Sequence, residues 1–235
     1  MHFLYRQTGI YTEKMPRRHK NLKLGVNGMQ NKERENTSLP EEALKPGTWA
    51  SLPSGGIIFV KHPSDAEMAD LYALTQVEIS PDVAPIEDVL AVYNHNRDAF
   101  LGIYTADDET QKNAHFMGYY SFLHLTEEGL ALLEKGTIDV LHPDLKLIVP
   151  YGTRPAAIYV WAIVARKVNK YVMPLIAKAL GAELYGGVPL YATAGTLGGY
   201  GAMKGVGFEG AKDKNAGLGQ LFRLDAPPPS AIRAA

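Results

Sequence analysis

A group of polar and cationic side chains marks the point at which an apolar run passes into an amphipathic segment. The apolar run spans residues 156–165, and apolar residues recur at helical spacing over 168–180. A strand that leads into a helix presents unsatisfied backbone amides and the positive end of the helix dipole, and both attract an anion. The side chains at this junction are Arg166, Lys167, Asn169 and Lys170. They predict a phosphate site held by charge-assisted hydrogen bonds; the alternative is that they solvate the exposed face of a core helix.

A glycine-rich segment, residues 196–208, carries a candidate proton donor. Tyr200 lies three residues before Met203 and shares a predicted helix face with it. A tyrosine hydroxyl can donate a proton in general acid catalysis, and the resemblance described below implies this role for Tyr200. The alternative is an aromatic side chain that packs under the segment.

Two carboxylates, Glu127 and Glu128, follow the apolar strand predicted at 115–125. A carboxylate can take a proton from an amine directly or through water, which makes Glu128 a candidate base. Acidic residues also stabilise the first turn of a helix through the helix dipole, and that role explains both residues without chemistry.

Several other chemistries are excluded by residue types or spacing. The chain has no cysteine, which removes disulfides, thiolate metal ligands and a cysteine nucleophile. The histidines form no H-x-x-x-H pair or mixed cluster with carboxylates, so no metal site is predicted. The glycine-rich segment matches neither the P-loop nor the dinucleotide-binding pattern, and no G-x-S-x-G elbow is present.

The composition is that of an ordinary globular protein. The 235 residues carry a formal net charge of -1, with 46% hydrophobic and 21% charged residues, so no global field favours nucleic acid. The apolar run 156–165 is shorter than the roughly 20 residues that a membrane helix needs. The N-terminus lacks the charged-then-apolar order of a signal peptide, and the lack of cysteine fits a reducing compartment. We therefore expect a cytoplasmic protein without membrane contact.

The chain divides into three parts. Residues 1–54 are polar, basic and turn-rich, and they predict an N-terminal arm that is either a basic contact for an acidic partner or a solvated extension. Residues 55–225 alternate between apolar runs and helical patterns, which predicts one domain. Residues 226–235 predict a loose C-terminal tail.

The central part contains local signals for most of its elements. Ser64 and Glu67 form a capping box ahead of a first helix, and Pro85 opens a second. Strands at 99–106 and 115–125 predict an antiparallel hairpin with a long polar turn. The remaining elements are a strand at 56–60, a helix at 126–136, a strand at 156–165, a helix at 168–180, a strand at 189–195, a helical segment at 196–208 and a strand at 218–225.

This order of elements resembles the GNAT acyltransferase superfamily over residues 56–225. The segment FVKHPSDAEMADLYAL is similar to the family's opening strand and first helix, and Gly207 and Phe208 are similar to the end of its acceptor-side helix. The resemblance implies a GNAT-like α+β fold, with a mixed, mostly antiparallel sheet flanked by helices and preceded by the N-terminal extension. It also implies that strands 159–164 and 189–194 are parallel neighbours that diverge into a V.

The resemblance places an acyl-CoA, either acetyl-CoA or another one, as co-substrate between these strands. Backbone groups of Ile163 and Val164 would bind its pantetheine arm. The helix start at Val168 would bind its pyrophosphate together with the cationic junction. The family has glycine or another small residue where this chain has Val168, Lys170 and Val172, so any phosphate site here relies on side chains.

The resemblance implies an N-acyltransferase in which an amine of a small molecule or protein attacks the thioester directly. The stretch 126–155 would shape the acceptor pocket. Met203 stands where the family often has a tyrosine acid, so Tyr200 is the nearest substitute and Tyr191 a weaker one. Two alternatives remain open: a catalytically silent module that binds a ligand or a partner, and an enzyme that uses an acyl carrier protein. The oligomeric state also stays open, and a homodimer is one option.

Overall fold

Within the described residues, the first strand of the sheet begins at Trp49. A computed structural model describes residues 49–79, 83–165, 169–180 and 184–225, so the arm up to residue 48 and the tail from 226 lie outside the described residues. The strands are β1 (Trp49–Ser51), β2 (Ile57–Lys61), β3 (Phe100–Ala106), β4 (His115–Leu125), β5 (Ala157–Ala165), β6 (Leu190–Thr193), β7 (Glu209–Gly210) and β8 (Leu221–Leu224). The helices are α1 (Asp65–Glu78), α2 (Ile86–His95), α3 (Glu127–Lys135), α4 (Asn169–Ala179) and α5 (Leu197–Gly205), with short 3-10 turns at Arg97–Ala99 and Leu145–Leu147.

Neighbouring strands follow the order β1-β2-β3-β4-β5-β6-β8-β7. The pairs are antiparallel apart from β5 and β6, which run parallel and are joined through α4. A helix between two parallel strands is the connection that this strand direction requires. The predicted fold class is confirmed as an α+β fold with a mixed, mostly antiparallel sheet flanked by helices.

The helices begin and end where the sequence places the signals. Ser64 and Glu67 form both hydrogen bonds of the capping box at the start of α1. Thr126 caps α3, and Gly136 ends it with a positive φ of 77°, which glycine adopts without strain. Pro85 is the N-cap of α2 rather than a residue of its first turn.

The two faces of the sheet are covered by different helices. Buried side chains of α1 and α2, including Leu71 and Val89, pack on one face together with Tyr119 of β4. Buried side chains of α4, including Val172 and Ile176, pack on the other face. The described helices include none that is long and apolar enough to cross a membrane.

Two short strands are additions to the predicted set. β1 pairs with β2 at the sheet edge and lies upstream of residue 55, where the sequence places the start of the domain. β7 pairs with β8 at the opposite edge. Strands of three and two residues are too short to show a period of two in the sequence, so pairing with a longer neighbour defines them.

Candidate functional site

The parallel ladder between β5 and β6 is much shorter than β5 itself. Its register joins Ile158 to Leu190 and Tyr159 to Tyr191. Beyond Tyr159, β5 continues to Ala165 along β4, while the described ladder to β6 goes no further. The predicted parallel neighbours are therefore confirmed, and the two strands diverge toward the start of α4.

A β-bulge bends β5 beside this gap. The register between β4 and β5 skips Trp161, which lies between Val160 and Ala162. A bulge increases the local twist and redirects the backbone. The indole N–H of Trp161 donates a hydrogen bond to the carbonyl of Val140 at 2.9 Å. This bond ties the bulged strand to the segment between α3 and β5.

The gap between β5 and β6 opens into a cavity of about 160 Å³, here called the cleft cavity. Its walls come from both strands and from α1, α2 and α5, and most of the lining side chains are aliphatic or aromatic. Ile163 of β5, Ala192 of β6 and Met203 of α5 belong to these walls. Such an apolar concavity with a few polar groups is the usual form of a small-molecule site.

A second cavity of about 450 Å³ adjoins β5, β6 and the segment after α3. Its walls include the carboxylates of Glu134, Asp139 and Asp213 and the apolar side chains of Ile138 and Leu141. Much of this lining comes from the stretch 126–155, which the sequence predicts to shape the acceptor pocket. Lys212 also lines this cavity, so three carboxylates face one ammonium, and this excess of negative charge suits a ligand that carries a positive charge.

Tyr159 and Thr193 line both cavities. Tyr159 is 6% exposed, and the Thr193 side chain lies close enough to its hydroxyl to influence its ionisation. Burial raises the pKa of Tyr159, and the nearby Thr193 side chain lowers it by less. The phenol therefore keeps its proton at neutral pH, and it lies in the wall that the two cavities share.

The predicted cofactor-binding residues have different positions. Ile163 lines the cleft cavity, whereas the Val164 side chain is buried in the core beneath α1 and α2. Asn169 and Lys170 are the first residues of α4, the helix that follows β5 along the chain. Arg166, Lys167 and Val168 lie outside the described residues. Their part in phosphate binding stays a prediction.

Helix α5 presents Gly199, Ala202 and Met203 to the cleft cavity. The ring of Tyr200 packs edge-on against Phe222 of β8, with the ring centroids 5.7 Å apart. Tyr200 is thus near the cleft but packs into a neighbouring hydrophobic cluster. Its role as proton donor stays a prediction.

Glu128 is exposed in the first turn of α3, next to Glu127. The last turn of the same helix brings Glu134 to the second cavity, where it accepts a hydrogen bond from the Tyr191 hydroxyl at 2.8 Å. The predicted base role of Glu128 is untested. Within the described residues, no group of three or more His, Cys, Asp or Glu side chains is placed to hold a metal ion.

Sequence reasoning missed the pairing of Tyr159 with Thr193. The available signal was a tyrosine in one apolar strand and a threonine in the next. Their meeting depends on the register that places Tyr159 beside Tyr191, two residues before Thr193 on the same face of β6. That register is a tertiary property, so neither strand shows it alone.

Comparisons with known proteins add little to this geometry. No protein-family model and no curated protein matches the chain by sequence. A search of solved structures finds the histone acetyltransferase HPA2 and related acetyltransferase from Corynebacterium glutamicum ATCC 13032, at 11% identity and a TM-score of 0.35. The match covers 72% of this chain and 95% of that chain. At these values, the geometry of the site remains the basis for assigning a function.

Proposed function

We propose that this protein is an acyl-CoA-dependent N-acyltransferase that acts on an amine of a small molecule or protein. The observation that carries the proposal is the shared wall of Tyr159 and Thr193 between the cleft cavity and the second cavity. A thioester in the cleft cavity and an amine in the second cavity would meet beside these two side chains. Holding two reactants in contact is a large part of the catalysis of a bimolecular transfer.

The two cavities differ in the chemistry that they accommodate. The gap between the diverging strands suits a pantetheine arm, whose amides can bond to strand backbone, and the cleft cavity into which the gap opens suits the apolar acyl end. The carboxylates of Glu134, Asp139 and Asp213 suit an amine, which is cationic in water. Acetyl-CoA is the simplest donor of this class.

The proposed transfer balances without any further reactant. The lone pair of the neutral amine forms a C–N bond to the thioester carbonyl carbon, and the C–S bond then breaks. Sulfur leaves with the bonding electrons and takes a proton from a tyrosine, for which Tyr159 is the proposed donor and Tyr200 the alternative. The amine loses its proton to a carboxylate, Glu128 or Glu134, or to water.

Titration calorimetry with acetyl-CoA, followed by turnover with a panel of amines, tests this function. Binding together with turnover supports the proposal. Binding without turnover of any amine supports a silent GNAT-like module instead, in line with Met203 in the cleft wall. Turnover that requires an acylated carrier protein supports the other alternative. A protein that neither binds nor turns over any of these donors contradicts the proposal.

The phosphate prediction is tested by replacing Lys167 and Lys170 together with alanine. Charge-assisted bonds contribute roughly 1.5–3 kcal/mol each, so we expect CoA to bind at least about tenfold more weakly. Calorimetry measures the change. The matched control is the double variant Lys135→Ala with Lys178→Ala, which removes the same charge from the last turns of α3 and α4. Equal affinity of both folded variants would reject the phosphate site.

A further inference from the structure

The cleft cavity extends from the gap between β5 and β6 into the space under α1 and α2. Its walls there include Leu71 and Thr75 of α1, Val89 of α2, Phe100 of β3 and Tyr119 of β4. All five side chains belong to the buried part of the protein. The cavity therefore continues well into the apolar layer between the helices and the sheet, past the residues that border the gap.

The hydroxyl groups in this part of the wall are satisfied by the protein. The Thr75 hydroxyl donates to the carbonyl of Leu71 at 2.8 Å and lies 2.5 Å from the hydroxyl of Tyr119. The Ser121 hydroxyl donates to the carbonyl of Ala162 at 3.3 Å. Groups with partners do not need a water molecule or a polar ligand group, and the remaining wall there is apolar apart from the half-buried Tyr72. An apolar occupant fits this space best.

We infer that the acyl group transferred by this protein is a chain of about four to six carbons rather than acetyl, an inference that rests on the proposed function. The cleft cavity of about 160 Å³ is similar in size to an apolar cavity of roughly 150 Å³ that accommodates benzene, a six-carbon molecule. The single methyl of an acetyl group fills a small part of such a space. Each further methylene that is buried strengthens binding by about fourfold.

The charge of the two cavities assigns the apolar space to the donor and not to the amine. The second cavity has three carboxylates in its wall against the one ammonium of Lys212. The walls of the cleft cavity contain no acidic or basic side chain among the described residues. An amine gains from nearby carboxylates and loses hydration in an apolar space. The acyl chain has the opposite preference.

The experiment measures equilibrium binding and turnover of acetyl-, butyryl-, hexanoyl- and decanoyl-CoA by the full chain. We expect butyryl- or hexanoyl-CoA to bind at least about tenfold more tightly than acetyl-CoA, because two methylenes each add about fourfold. Decanoyl-CoA is expected to bind more weakly than hexanoyl-CoA, because its chain exceeds the cavity. Binding is measured by calorimetry, so the result does not require that the amine be known.

Two substitutions at Val89 serve as a matched pair. Val89→Phe fills part of the cavity and is expected to move the preferred chain toward acetyl, whereas Val89→Ala enlarges the cavity and is expected to move it toward longer chains. A loss of stability would not shift the preference in opposite directions. Opposite shifts support the inference.

Three outcomes would overturn it. A preference for acetyl-CoA in the parent protein contradicts the chain length while leaving the proposed function in place. Val89 variants that change the preference among amines but not among acyl donors likewise contradict the chain length and leave the proposed function in place. Failure to bind any member of the acyl-CoA series rejects the proposed function itself, and this inference with it.

Discussion

Tyr159→Phe is expected to lower the turnover number by about 10²–10⁴-fold, the usual contribution of a positioned general acid. The phenol lies in the wall that the cleft cavity shares with the second cavity, and burial keeps it protonated. The substitution removes one hydroxyl and keeps the ring, so the fold and the affinity for the acyl donor should stay close to those of the parent. Steady-state kinetics and calorimetry measure the two effects separately.

Tyr200→Phe and Tyr191→Phe are the matched controls, because each also removes a single hydroxyl near the site. The Tyr200 ring packs against Phe222, and the Tyr191 hydroxyl bonds to Glu134. If Tyr159 is the acid, both controls should keep turnover within about tenfold of the parent. Loss of turnover in Tyr200→Phe with normal turnover in Tyr159→Phe would identify Tyr200 of α5 as the general acid, as the sequence predicts.

The sequence predicts the parts of this fold that depend on local signals. The capping box of Ser64 and Glu67 fixes the start of α1, and the left-handed Gly136 fixes the end of α3. Alternating and continuous apolar runs mark β3, β4 and β5. The succession of β5, α4 and β6 implies parallel neighbours, because two parallel strands need a crossover between them.

The site depends on contacts between distant segments, which the sequence does not show. The bulge at Trp161 and its bond to Val140 connect β5 to a segment that reads as irregular. Helix-face spacing indicates Tyr200, but its ring packs against Phe222 of β8, a strand that follows α5 along the chain. Local patterns thus locate the elements, and the register and packing decide which side chains face the cavities.

The second large effect concerns His124, which lies at the end of β4 and away from the cleft. Its side chain is fully buried, and neither ring nitrogen has a hydrogen-bond partner among the described residues. The ring packs against Tyr185 at a centroid distance of 5.1 Å and against Phe122 at 6.2 Å. Burial lowers the pKa of His124 to about 4, and the charge of nearby Asp98 opposes this shift only in part.

This depressed pKa makes His124 a source of acid sensitivity. In the unfolded chain, a histidine binds its proton near pH 6.5, whereas the buried ring stays neutral until about pH 4. As the pH falls through this window, the unfolded state takes up a proton that the folded state refuses, so the free energy of unfolding decreases. A difference of this size corresponds to about 3 kcal/mol between pH 7 and pH 4.

His124→Phe is expected to be at least as stable as the parent at pH 7, because it keeps a ring between Tyr185 and Phe122 and removes two buried nitrogens without partners. Its advantage should grow by about 3 kcal/mol as the pH falls from 7 to 4, because the parent alone carries the titrating ring. Urea unfolding at a series of pH values measures this gap.

The control His115→Gln removes an exposed imidazole from the same strand, and its gap to the parent should not widen in this way. A constant gap between His124→Phe and the parent would mean that His124 is protonated or hydrated in the folded protein, and would contradict the buried neutral ring.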